Sequence, residues 1–177
     1  MRQTKVSGYA LLGLLSGGSK HGYELHQAYN DPVGLGQVWR LGLSQLYAEL
    51  KQLETEGLVE FTFHAQELRP AKKMFKLTPA GRAAFKQWIE TPAHGVRELR
   101  VEFMVRYYFA ERTSKKAVGV LMERQRESLR KELATLTTLP TISESHNFER
   151  LVRTFRISQL RAALDWLEGG QKLFTPR

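Results

Sequence analysis

The sequence predicts a mainly α-helical chain carrying one small β-hairpin, and three observations carry that expectation. Leu43, Leu46, Leu50 and Leu53 recur at three- and four-residue spacing, the stripe of an amphipathic helix. The period then changes to two, with Val59, Phe61 and Phe63 alternating with polar residues and Phe75 and Leu77 doing the same on the return. Beyond Pro92 every long pattern is helical again. Helix, hairpin with a basic tip and second helix, in that order from Gly42 to Trp88, are the parts of a winged helix-turn-helix. The remainder reads as an all-α region suited to dimerisation. The boundary falls at Pro92, with 1–92 as the winged-helix domain and 96–177 as the helical domain.

Composition narrows the function classes. The 177 residues, 42% of them apolar, are enough to bury a real core, which excludes disorder throughout. The 27 Lys and Arg against 18 Asp and Glu give a net charge of +9, an excess that attracts polyanions. Residues 1–92 hold 11 basic and 8 acidic side chains, net +3, so the excess does not concentrate on the winged-helix half. With zero cysteines, disulfide frameworks and thiolate metal sites are excluded, which suits a reducing cytoplasm. No apolar run approaches the roughly 20 residues of a membrane span, and the start lacks a clean signal-peptide cleavage site. A cytoplasmic protein is expected.

Taken in order, the dense apolar residues of Val6–Leu15 predict a mostly buried first helix, ended by Ser16-Gly17-Gly18. Ser19 is the expected cap of a second helix, His21–Asn30, with Tyr23, Leu25, Ala28 and Tyr29 inward and Asp31-Pro32 as the stop. Leu35, Val38, Trp39 and Leu41 are expected to tuck over the core. The third helix spans Ser44–Glu56 and terminates at Gly57, leaving Ser44, Gln45, Ala48, Glu49, Lys51 and Gln52 outward. Thr78-Pro79 caps a fourth helix that runs to about Glu90. Three more follow: Leu99–Glu111, with Glu102 and Arg106 one turn apart; Ser114–Thr138, whose seam of Val118, Met122, Leu129, Leu133 and Leu136 is interrupted by Gln125; and Asn147–Glu168. The last two carry more apolar surface than they can cover for each other, so a second copy of the chain is the expected cover and the protein a homodimer.

With those parts in place, HGYEL at His21–Leu25, LYAELKQLETEGLVE at Leu46–Glu60 and KMFKLTPAGRAAFKQW at Lys73–Trp88 resemble the PadR family of bacterial transcriptional regulators. The likeness runs motif by motif through the first half and only in helical character through the second. Phe75 stands where that family often has Tyr, Ala48 where Pro is frequent, and the hairpin lacks the common Gly-rich tip. The resemblance implies a cytoplasmic homodimer that binds an inverted repeat in promoter double-stranded DNA, usually as a repressor. It also implies a C-terminal helical dimerisation module and, in some members, a small aromatic or drug-like effector that loosens DNA binding.

The candidate DNA-binding residues are Ser44, Gln45, Tyr47, Lys51, Arg69, Lys72 and Lys73. Ser44 and Gln45 place a hydroxyl and an amide where they can reach base edges, though Ser44 is equally an N-cap by its position. The resemblance assigns Tyr47 a phosphate or base contact; pattern alone would make it a core-edge tyrosine. Lys51 either touches phosphate or pairs with Glu49 or Glu54 on a solvated face. Arg69, Lys72 and Lys73 cluster around Pro70 with no acidic residue after Glu67, a disposition that suits phosphate contact. Trp39, Phe103, Tyr107, Tyr108 and Trp166 are candidate effector-pocket residues, against the plainer reading that they are core. His21 has only Glu24 and His26 near it at ligand spacing and is assigned a structural or phosphate-facing role. No nucleophile–base pair, phosphate-binding glycine loop or metal cluster is visible, so neither catalysis nor a metal or cofactor is expected. The competing function is a winged-helix protein-interaction module without sequence-specific DNA affinity.

Overall fold

A computed structural model of the chain describes residues 4–66, 69–140 and 146–169, and for 64–66 and 69–72 the backbone alone. Helix α1 (Val6–Leu15) is the centre of the N-terminal half, buried on almost every side as its apolar density requires. A two-residue strand β1 (Lys20–His21) leads into α2 (Gly22–Tyr29), a 3-10 turn (Leu35–Gln37) and α3 (Leu43–Thr55). Strands β2 (Val59–Gln66) and β3 (Arg69–Leu77) form the hairpin, and α4 (Pro79–Glu90) closes the half. The sheet order is β1-β3-β2, all antiparallel, with Phe61 opposite Phe75 and Phe63 opposite Lys73.

Several local expectations hold. Gly57 ends α3 at φ 70°, a left-handed turn that a side chain would strain. The Thr78 hydroxyl accepts from the Gly81 amide with Pro79 at the first helical position, and it donates to the Gly57 carbonyl, tying the end of α3 to the start of α4.

Others are corrected. The second helix is capped not by Ser19 but by His21, whose Nδ1 accepts from the Tyr23 amide while Glu24 accepts from the His21 amide, a capping box that starts the helix one residue late. Leu25 and Tyr29 face inward, but Tyr23 lies outside, where it stacks near His26. In the connector Leu35 and Leu41 are buried, whereas Trp39 is exposed and makes no ring contact among the described residues. Leu43 is exposed because, as the first helical residue, it precedes the buried turn that begins at Leu46. Glu49 turns inward instead, beside the Lys5 ammonium. Phe63, expected on a buried face, is 67% exposed, since only the root of the hairpin rests on the body.

The C-terminal half comprises α5 (Gly95–Glu98), a π-helical turn (Leu99–Phe103), α6 (Met104–Thr113), α7 (Lys115–Thr138) and α8 (Asn147–Gly169). The single helix expected over Leu99–Glu111 is thus the larger part of a longer, locally widened one that runs from Gly95 to Thr113. Its Leu99 and Phe103 join the C-terminal core while Val105 and Phe109 join the N-terminal core, which is why the segment is apolar all round. Phe109 meets Phe85 of α4 edge to face at 5.4 Å. Helix α8 runs back along α7: Arg130 pairs with Glu168, Arg156 with Glu132, and Arg153 donates to the carbonyls of Leu136, Leu139 and Pro140 at the end of α7. Its second half is buried through Leu160, Ala163, Leu164 and Leu167, whereas Phe148, Leu151, Val152 and Phe155 are exposed.

Gln125, the polar break in the α7 seam, is wholly buried. Its Oε1 accepts from the Ala93 amide at 2.7 Å and its Nε2 donates to the Ala93 carbonyl at 3.1 Å. A buried backbone pair is costly without partners, so this side chain substitutes for the secondary structure that the segment after Pro92 lacks. Gln125→Leu is expected to lower stability by about 2–4 kcal/mol by orphaning both groups, read as a reduced urea midpoint in chemical denaturation.

Candidate nucleic-acid interface

The outward face of α3 is built by its start. Gly42, extended at ψ 151°, is the N-cap and supplies no side-chain cap, and the first backbone bond runs from the Leu46 amide to the Gly42 carbonyl. The amides of Leu43, Ser44 and Gln45 therefore point out of the helix end as free donors at the positive end of its dipole. Ser44 is the second helical residue and exposed, so the capping alternative for it is not realised. With Leu46, Leu50 and Leu53 fully buried, Ser44, Tyr47, Ala48, Lys51 and Thr55 form the opposite, exposed stripe, flanked by Gln45 and Gln52.

Tyr47 is neither core nor free. Its ring lies against Gly22 at the start of α2, where a Cβ would stand 2.5 Å from the Tyr47 hydroxyl. The glycine of HGYE thus seats the tyrosine, and the seam between α2 and α3 leaves it 42% exposed. The imidazole and carboxylate of the same motif are occupied by the capping box, which gives His21 and Glu24 their structural role. Of the two readings of Lys51, the ion pair is absent: Glu49 faces Lys5 and Glu54 faces Lys73, and Lys51 has no acidic partner among the described residues.

Arg69 lies on the outer part of β3 and Lys72 along the same strand; their side chains fall outside the described residues, as do those of the rest of the tip. Lys73 is not a tip residue. Its ammonium sits 3.6 Å above the Phe61 ring and 3.3 Å from a Glu54 carboxylate oxygen, within the groove between hairpin and α3.

The proposed effector aromatics do not form one group. Phe103 contacts Tyr107 and Trp166 at ring distances of 6.3 and 5.8 Å, on the C-terminal core. Tyr108 lies on the other side of the helix, against Phe109, Gly34 and the Arg112 guanidinium, and Trp39 joins neither. A cavity of about 470 Å³ opens elsewhere, between α1, α4 and the widened turn. Tyr9 and Trp88, stacked at 4.9 Å, form one wall, and Arg106, Glu102, Glu98 and Lys5 contribute the polar groups. Sequence spacing had marked Glu102 with Arg106 but not Tyr9 or Trp88, which are 79 residues apart and adjacent only in the fold.

Arg106 is almost completely buried. It donates to Glu102 and to the Thr91 carbonyl, and its guanidinium lies 4.8 Å over the Trp88 ring. Burial pulls its pKa down and pushes that of Glu102 up, while their mutual attraction opposes both shifts; the hydrogen bond that a protonated Glu102 donates to Glu98 reinforces the rise at Glu102.

Residues 11–87 match the family model described as the transcriptional regulator PadR-like family, and residues 99–170 match one described as virulence activator alpha C-term. The negative transcriptional regulator PadR of Bacillus subtilis (strain 168) is 29% identical over 174 residues, which are 93% of this chain and 94% of that protein. A probable transcriptional regulator of Mycobacterium tuberculosis is 30% identical over 89 residues, 50% of this chain and 46% of its own. Among solved structures, the crystal structure of Bacillus subtilis PadR in complex with operator DNA superposes with a TM-score of 0.50 at 29% identity, covering 95% of this chain and 97% of that one.

The buried ion pair gives the cavity wall a measurable signature. Arg106→Met is expected to cost on the order of 3 kcal/mol by stranding Glu102 and the Thr91 carbonyl, and a double-mutant cycle with Glu102→Gln should recover part of that loss in urea denaturation.

Proposed function

The chain belongs to the PadR-like family of transcriptional regulators, and on that premise we propose that it is a repressor that binds operator DNA as a homodimer and releases it on binding a small ligand. The observation that carries this reading is the exposed stripe of α3, with its uncapped helix start, standing beside a basic hairpin. Such a helix enters a major groove with its N-terminal residues at the base edges. Ser44, Gln45 and Tyr47 are the proposed base-edge and phosphate contacts, Lys51 the flanking phosphate contact, and Arg69 and Lys72 the contacts from the hairpin, which acts as the wing. The relative named for its operator complex is matched over nearly its whole length, which supports carrying the activity over to this chain.

We assign 1–92 to DNA binding and 96–177 to dimerisation. Phe148, Leu151, Val152 and Phe155 recur along one face of the first half of α8, and a second copy related by two-fold symmetry is the proposed cover for this exposed apolar patch. A symmetric dimer presents two α3 helices and so requires a palindromic site. For the ligand, the cavity between Tyr9, Trp88 and Arg106 offers a stacked aromatic wall with charged groups at its edge, which supports a small aromatic compound. It replaces Trp39, Phe103, Tyr107, Tyr108 and Trp166 as the preferred location because those five do not converge. No helix among the described residues is long and apolar enough to cross a membrane, in keeping with a protein that meets DNA in the cytoplasm.

Fluorescence anisotropy on duplexes from the DNA upstream of the coding region tests the assignment. Gln45→Ala and Tyr47→Ala should each weaken binding by roughly five- to a hundredfold, the range of about 1–3 kcal/mol for a good base contact. Replacing Arg69 and Lys72 together should also flatten the plot of log affinity against log salt by about 1.8, or 0.9 for each lost phosphate contact. Variants that bind as tightly as the wild type would place the DNA surface elsewhere. For the dimer, Phe148→Asp with Phe155→Asp should halve the mass seen by light scattering at micromolar concentration while leaving the circular dichroism spectrum helical.

A further inference from the structure

The groove between α3 and the hairpin is where the two DNA-facing elements either move independently or move together. Val59, Leu77 and Phe75 seal the hairpin root, but further out the packing stops: Phe61 is half-buried, Phe63 is open, and a cavity of about 580 Å³ separates the strands from Tyr47, Lys51 and Thr55 of α3. Among the described residues, one side chain crosses this gap. Lys73 points from β3 back over Phe61 at 3.6 Å, lies 5.1 Å from the centre of the Phe75 ring, and donates to Glu54 of α3 at 3.3 Å. Helix, both strands and one cation are joined at a single point.

We propose that Glu54 is a positioning residue, which by holding Lys73 over Phe61 locks the hairpin to α3 as one rigid body, and that Lys73 is accordingly a strut and not a DNA-phosphate ligand. The proposal rests on the DNA-binding reading of α3 and the hairpin. Its physical basis is that the ammonium is already paired with the Glu54 carboxylate and held on the ring face, so it is poorly placed to neutralise a phosphate and displace the counterions condensed on DNA. Lys51, on the same side of α3 and with no acidic partner among the described residues, has that charge free. A wing free to swing would have to be ordered on each binding event, and that ordering would reduce affinity. An anchored wing has its orientation set in advance.

The chain contains no cysteine, so Thr55→Cys on α3 with Gln66→Cys on β2 gives two unique spin-label sites for a distance measurement in the free protein. The expected result is a narrow distribution in the otherwise wild-type chain that broadens in both Glu54→Gln and Lys73→Met, with Lys73→Arg restoring it because a guanidinium both pairs with the carboxylate and lies on the ring. Operator affinity, measured on unlabelled protein, should fall roughly three- to tenfold in the first two variants and recover in the third. The salt slope should stay unchanged in Lys73→Met. A slope flattened by about 0.9 in Lys73→Met would make that lysine a phosphate contact and overturn the proposal. A distance distribution that stays narrow in Glu54→Gln would overturn it equally. Should the wild type bind none of the duplexes, the DNA-binding reading fails by itself, and the distance distributions alone then decide whether the bridge holds the hairpin.

Discussion

The arrangement of this chain depends on how three residues of irregular backbone are held. Thr91, Pro92 and Ala93, with His94 after them, lie between the last helix of the N-terminal half and the first of the C-terminal half, and beyond the bond from the Thr91 amide to the Trp88 carbonyl no helical bond holds them. Gln125 of α7 takes both polar groups of Ala93, and Arg106 of α6 takes the Thr91 carbonyl. Two side chains from the C-terminal half thus grip the connector from within the fold, where loss of either leaves buried polar groups without water. Apolar contacts such as that of Phe85 with Phe109 supply the adhesion between the halves, but contacts of this kind carry little directional information. Direction comes from the hydrogen bonds.

That grip determines what surrounds the cavity. Arg106 is shared between the connector, Glu102 and the face of Trp88, and Trp88 in turn stacks on Tyr9 of α1. Anything that enters between these groups meets the same cation that orients the connector. A ligand can shift a conformational equilibrium only by the difference in its affinity for the two states, and a site whose wall is also the joint supplies such a difference directly. The five aromatic residues that composition makes attractive lack this property, because Tyr108 and Trp39 lie away from the cluster around Phe103.

Much of this was legible in the sequence where local rules decide. The bounds of α1, α4 and α7, the left-handed Gly57 and the Thr78 cap follow from apolar spacing, turn chemistry and capping, all of which act within a few residues. The outward placement of Ser44, Gln45 and Lys51 follows from the Leu46, Leu50 and Leu53 stripe in the same way. What spacing could not provide is the identity of distant partners. Strand β1 is two residues long and exists only because β3 lies beside it. Lys73 reads as one of three tip cations until the Phe61 ring and the Glu54 carboxylate, 12 and 19 residues away, turn it inward. Gln125 reads as a flaw in a heptad seam until Ala93 is found to need two hydrogen bonds.

The same polar contacts bear on how two halves of a dimer would communicate. In the proposed assembly the partner covers Phe148 to Phe155, on the first half of α8, while the second half of that helix packs on α7. Helix α7 carries Gln125 midway along its length, and Gln125 holds Ala93, the third residue after the end of α4, so the path from the proposed partner to the connector crosses helices and one paired amide. From the connector, α4 leads back through the Thr78 hydroxyl to Gly57 at the end of α3, a bond that fixes the helix start to the helix end. The spacing of two α3 helices on DNA is then set by helix packing and a few hydrogen bonds instead of by a flexible linker. Because a buried hydrogen bond can be exchanged for one to an incoming polar group while close-packed apolar contacts have no such substitute, the polar joint around Arg106 and Gln125 is where the proposed ligand would act on that spacing with the least disruption of either core.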